Sequence, residues 1–109
     1  MRAGQLDRRA RFETRSAADD GYGNSRGAWV ERLTVSADLR PERARESLEA
    51  GRLESRARGV LRFRDGAAAR AVTAADRVVI DGASWRLLGD PVAVGGARSG
   101  VLEVAVERV

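Results

Sequence analysis

Four arginines, Arg56, Arg58, Arg62 and Arg64, recur within nine positions, and all fall on the same parity of an extended chain. Guanidinium groups set in a row like this can grip carboxylates on a neighbouring surface or follow the phosphates of a nucleic acid. An alternative lies inside the chain itself: Glu103 and Glu107 also share a parity, and opposite charges on adjacent strands pair readily. A second charged group, Arg43, Arg45, Glu46, Glu49 and Arg52, has helical spacing, with Arg45 four residues before Glu49 and Glu49 three before Arg52. A third set, Asp20, Tyr22 and Asn24, sits among Gly21, Gly23 and Gly27. The carboxylates of Asp19 and Asp20 are the nearest thing to an acid–base or cation-binding pair, but no partner motif accompanies them. The chain has no histidine and no cysteine, so imidazole and thiolate chemistry are excluded, along with zinc sites built on them. No catalytic, cofactor-binding or metal-binding residue is expected, and an enzyme is the last of the function classes to consider.

The composition limits what these groups can belong to. A chain of 109 residues fits one domain, spanning residues 1–109, with room for one modest core. All 20 basic residues are arginine, and the net charge is +4. Such a chain, rich in alanine, glycine and arginine and empty of lysine, reads as the product of a high-GC genome, so where the arginines lie carries more information than how many there are. No long apolar run and no charged leader with an apolar segment behind it is present, so a soluble, unprocessed chain is expected, with no membrane partner.

Hydrophobic alternation then supplies the elements. Leu6, Ala10 and Phe12 share the even parity of a first strand over residues 6–14, and a polar, glycine-rich loop follows from Ser16 to Gly27. Trp29, Leu33, Val35, Ala37 and Leu39 mark a longer strand. Pro41 suits the first turn of a helix, and Glu42 to Leu53 lacks proline and β-branched residues, so a short helix is expected there. Its apolar stripe is thin, chiefly Ala44 and Leu48, so it must dock on something. Ala57, Gly59, Leu61 and Phe63 alternate with the arginines in a strand between Ser55 and Arg64. Residues 65–75 form a connection, Arg77 to Asp81 and Trp85 to Leu88 form a hairpin about Asp81-Gly82, and Leu102, Val104 and Val106 define a closing strand. Trp29 and Trp85 are expected in the core, since each opens an apolar strand. The fold class is mostly β: a small antiparallel barrel or sandwich with one short helix inserted between strands.

The blocks, taken in order, resemble the phage head-tail joining protein family, the head-closure or stopper proteins of tailed phages and gene transfer agents. Ala3-Gly4-Gln5-Leu6-Asp7-Arg8 is similar to the family's opening segment. Asp20-Gly21-Tyr22-Gly23 followed by Trp29 is similar to its Asp-x-Tyr-Gly loop and tryptophan, and Glu49-Ala50-Gly51 to a stretch in its helical excursion. The arginine-rich strand, the hairpin from Asp76 to Leu87 and the Leu/Val-rich last strand complete the series, which spans nearly the whole chain. Two departures stand out: Leu87 replaces a β-branched residue, and the last strand lacks a cysteine common in relatives.

The resemblance implies a structural neck component with no cofactor. Copies of the chain would form a ring between the portal or adaptor ring on the head side and the tail terminator ring on the tail side, with packaged DNA retained at the channel and later passing through it. Six copies match the tail's symmetry and are favoured; twelve would match the portal's. Assembly is expected in the bacterial cytoplasm, with the protein ending at the neck of a virion or a phage-like particle. On this reading Arg56, Arg58, Arg62 and Arg64 face a neighbouring subunit or the channel. The segment with Arg43, Arg45, Glu46, Glu49 and Arg52 docks a partner or gates the channel, against the alternative of a helix capping the barrel mouth. The loop with Asp20, Tyr22 and Asn24 docks a neighbouring ring. The alternative function is a small basic barrel of the oligonucleotide-binding type that holds single-stranded nucleic acid, weakened by Phe12 and Phe63 lying on core parities.

Overall fold

The computed structural model describes residues 8–15, 27–42, 57–95 and 100–109. Seven strands follow in the order β1 (Arg8–Arg15), β2 (Trp29–Pro41), β3 (Arg58–Arg64), β4 (Arg77–Ile80), β5 (Ala83–Leu87), β6 (Val92–Ala93) and β7 (Val101–Arg108), with α1 (Ala67–Arg70) between β3 and β4. Every pairing is antiparallel. The sheet runs β3-β2-β1-β4-β5-β7 and closes on itself through β3 and β7, giving a six-stranded barrel; β6 lies outside this closure, paired to the first half of β7. Closure pairs both edges of each barrel strand and removes the open edges that an unclosed sheet would present.

The interior follows from alternation. Ala10 and Phe12 of β1, Leu61 and Phe63 of β3, Val78 and Ile80 of β4, Trp85 and Leu87 of β5, and Leu102, Val104 and Val106 of β7 all point inward and are buried. Phe12 and Phe63 meet at the centre with ring centroids 4.8 Å apart and planes tilted by 50°. The hairpin expected about Asp81-Gly82 is a two-residue turn with Ile80 opposite Ala83, and φ values of 51° and 80° at its two central residues. Those positive angles are the reason an Asp-Gly pair occurs there. Gly59 answers a different need: a Cβ there would meet the Arg40 carbonyl oxygen at 2.9 Å, so β2 and β3 can approach only around a glycine.

Four expectations change. Pro41 ends β2 rather than opening a helix, and the Glu42 amide donates to the Arg58 carbonyl at 2.8 Å, extending the ladder by one residue. The rest of the expected helix, residues 43–53, lies outside the described residues. A helix does occur in the connection after β3, where the single turn of α1 brings Ala69, with Val72 beyond it, into the core at that end of the barrel. Three successive alanines carry no periodic signal, which is why this turn reads as a plain connection in the sequence. Two-residue β6 is too short for alternation to reveal. Finally, Trp85 is in the core as expected, whereas Trp29 is half-buried outside it.

Candidate functional site

The outer face of the barrel wall carries the charge. In register across five strands, Glu13 of β1 stands opposite Arg77 of β4, Arg77 opposite Arg86 of β5, Arg86 opposite Glu107 of β7, and Glu107 opposite Arg58 of β3. Because strands tilt in a barrel, this row winds from the first residue of β4 at one end to the first residue of β3 at the other. Arg77 and Arg86 are like charges side by side, and each turns to the glutamate on its far side. Arg77 Nε donates to Glu13 at 2.7 Å, and Arg86 donates to Glu107. Glu107 also accepts from Arg58 Nε at 2.7 Å. Its carboxyl is held below the usual glutamate range, first by the Arg58 hydrogen bond, against the cost of burial, and further by Arg86.

Trp29 sits at the Glu13 end of the row. The guanidinium carbons of Arg15 and Arg77 lie 4.1 and 4.5 Å from its ring centre, so the indole face is covered by cations instead of core side chains. Glu13 lies just after a β-bulge at Phe12/Glu13, and it is buried while accepting from both Arg77 and, at 3.1 Å, Arg11. A second, shorter row places Asp38 of β2 opposite Arg62 of β3 and Arg62 opposite Glu103 of β7, with Arg62 Nε donating to Glu103 at 2.7 Å. At the far end of β3, Asp65 and Arg70 form a two-pronged pair at 2.6 and 2.7 Å, which lowers the Asp65 pKa through the Arg70 hydrogen bond and raises that of Arg70. No buried side-chain polar atom among the described residues lacks a partner.

The structure therefore separates the four arginines read from the sequence. Arg58 and Arg62 are paired inside the fold to Glu107 and Glu103, the two carboxylates named as the internal alternative. Arg64, opposite Val101 at the end of β3, is exposed and has no ion-pair partner among the described residues. Arg56 lies outside the described residues, as do Arg43, Arg45, Glu46, Glu49 and Arg52 of the charged segment and Asp20, Tyr22 and Asn24 of the glycine loop. Their flanks are described: Arg15 and Trp29, which bracket residues 16–26, stand at one end of β2, whereas Glu42 and Ala57, which bracket residues 43–56, stand at the other. Glu13, Arg77 and Arg86 were missed by sequence reading, because their row exists only through the barrel's pairing. The one trace in the sequence is that each has a buried apolar residue beside it, Phe12 before Glu13, Val78 after Arg77, and Trp85 and Leu87 on either side of Arg86.

Two features of the wall remain. Between the two ionic rows lies an apolar strip, Val60 of β3 opposite Ala105 of β7 and Leu88, whose amide donates to the Ala105 carbonyl at 2.9 Å; Val92 of β6 adjoins it, opposite Glu103 at the end of the second row. Leu88 is 44% and Val92 59% exposed, among the largest exposures of apolar side chains on the barrel. Across the barrel, on β1 and its neighbours β2 and β4, is an open concavity of about 380 Å³ lined by Arg9, Arg11, Glu31, Thr34 and Val79, with the Asp81-Gly82 turn at its rim.

The described residues define a small closed antiparallel β-barrel with charge pairs and an apolar strip on its outer wall. The chain matches the phage head completion protein family over residues 1–107, and it belongs to that family. The family is a structural one, so the chain has a structural role in the phage head or neck. No curated protein matches it. Among solved structures it is similar to a Shigella flexneri 2a protein determined in solution, at 18% identity and a TM-score of 0.69, covering 99% of this chain and 96% of that one. It is also similar to a chain of the virion of a native gene transfer agent particle, at 20% identity and a TM-score of 0.65, covering 94% of each chain. At these identities the likeness is one of fold. Among the described residues, no helix is long and apolar enough to cross a membrane.

Proposed function

We propose that this chain is the head-closure, or stopper, subunit of a tailed phage or phage-like particle. Copies of it form a ring between the portal or adaptor ring and the tail terminator ring, close the filled head, hold the packaged DNA and give the tail its docking surface. Six copies are favoured. The observation that carries this reading is the match of a head completion family member, over 94% of its length, to the fold of a chain in a gene transfer agent virion. A barrel that small has little beyond its wall and its two ends with which to act.

The topology supports a part that meets different partners on its two sides. The connections bracketed by Arg15 and Trp29 and by Glu42 and Ala57 leave from opposite ends of β2, which supports assigning the Asp20–Tyr22–Asn24 set to one neighbour and the Arg43–Arg52 set to the other. The nucleic-acid-binding alternative is less well supported. Phe12 and Phe63 are fully buried, Trp85 is in the core, and Arg58 and Arg62 already hold carboxylates, so among the described residues these rings and cations are not available to a strand of bases.

The test is electron microscopy of particles made with the gene deleted and then restored in trans. Filled or leaking heads beside free tails, with tailed particles on restoration, are expected. Intact tailed particles without the gene would overturn the neck reading.

A further inference from the structure

We infer that the ring contact is heterologous and joins two opposite sides of the barrel wall: the apolar strip of one copy, carried by Leu88 and Val92 around β7, seats against the concavity around β1 of the next copy. The inference rests on the ring reading above and names the surfaces that build it.

Position is the first argument. Around the closed barrel the strands follow one another as β7, β5, β4, β1, β2 and β3, so β7 and β1 are diametrically opposed. A contact between opposite sides of identical subunits propagates in one direction, and it closes into a ring when the repeated rotation returns to the first copy without translation along the axis. A contact between two copies of the same strip would stop at a dimer.

Shape and polarity are the second. The Val60, Ala105 and Leu88 part of the strip is flanked by charge, with the Arg58–Glu107–Arg86 row on one side and the Arg62–Glu103 pair on the other, and Val92 stands beside Glu103 at the end of that pair. That layout, an apolar centre with charged flanks, fits the anatomy of a protein–protein interface. The opposite side is recessed, with Val79 half-buried in its floor. Charge is the third. Among the described residues Arg9 reaches only the Ser36 hydroxyl, at 3.4 Å, and Glu31 has no partner, so among those residues the concavity holds one cation and one anion without counterions. On the strip side Glu103 keeps 27% of its side chain exposed, and Arg64 has no counterion among the described residues. A second copy of this chain supplies the opposite charge for each.

The chain has no cysteine, which makes the test direct. Arg9→Cys and Val92→Cys are introduced singly and together, the deletion strain is complemented with each, and purified particles are treated with a short bismaleimide. The double variant is expected to give a ladder of cross-linked species ending at the ring's copy number, and each single variant monomer alone. A Val92→Cys dimer without the ladder would overturn the inference in favour of a strip-to-strip contact. Tailed particles with no cross-link in the double variant would overturn this contact while leaving the neck reading intact. Tailed particles in the uncomplemented deletion would instead sink the neck reading. Should the first pair fail to complement, Thr34→Cys with Leu88→Cys probes the same two surfaces under the same criteria.

Discussion

The inner and outer faces of the β3–β7 pair are made from one alternating sequence, and they solve opposite problems. Inward, Leu61, Phe63, Val104 and Val106 exclude water completely or nearly so, and any loss of volume is felt by every neighbour. Outward, Arg58, Arg62, Glu103 and Glu107 hold the same two strands by charge, but their arginines keep 55% and 36% of their side chains in solvent. Solvent weakens what each pair contributes to stability. The inner face therefore sets how firmly the barrel folds, whereas the outer face has latitude to hold partners.

That division fails if an interior truncation proves no worse than an exterior one. Phe63→Ala removes one half of the central aromatic pair and is expected to cost about 3–5 kcal/mol in a denaturant titration. A loss of under about 1 kcal/mol would mean that the interior is loosely packed and the comparison misdrawn. Gly59→Ala tests the wall itself, where the added methyl meets the Arg40 backbone and β2 must move away from β3. The expected cost is about 1–3 kcal/mol, read the same way.

The two faces were unequally legible in the sequence. Alternation found the inward residues of β1, β3 and β7 because burial in a half-buried strand leaves a period of two. It also put Arg58, Arg62 and Arg64 on one face. What it did not give was which strand neighbours which. Glu103 and Glu107 were nameable as counterions by charge and parity, but Arg86 and Arg77 enter the row only through the order β3-β7-β5-β4, a property of the closed sheet. Trp29 misled because its place at the head of an apolar strand is also a place at the barrel's end, where Arg15 and Arg77 cover it. The apolar strip was invisible for the same reason as the row: Val60, Leu88, Val92 and Ala105 come from four separate segments.

Within the outer face, Glu107 is the most buried of the carboxylates on these rows and serves two arginines. Glu107→Gln leaves Arg58 and Arg86 facing each other across a neutral amide, and a loss of about 1–2 kcal/mol is expected at neutral pH, discounted because both arginines are more than half exposed. The glutamate's pKa is lowered in the folded state, chiefly by the Arg58 hydrogen bond, so its contribution is present above the unfolded value of about 4.3 and is lost as the pH falls through the folded value. Wild type and Glu107→Gln should thus differ at pH 7 and converge in acid. A gap that stays constant from neutral pH down to pH 3 would show that the carboxylate's charge is not what stabilises the wall.

Arg62 and Arg64 give the smallest effects and the sharpest separation of folding from function. Both point outward from β3, two residues apart, yet Arg62 holds Glu103 at 2.7 Å whereas Arg64 has no counterion among the described residues. Arg62→Ser should therefore cost up to about 1 kcal/mol, the usual worth of a part-exposed pair, and Arg64→Ser should leave stability unchanged within error. Complementation of the deletion then tells the two roles apart. If Arg64→Ser, with its stability intact, lowers the fraction of tailed particles, the side chain acts across an interface and the outer face is functional at that point. Should full rescue by Arg64→Ser accompany a loss with Arg62→Ser that follows only its stability, the β3 arginines serve the barrel itself, and the partner contacts lie elsewhere on the wall or at its ends.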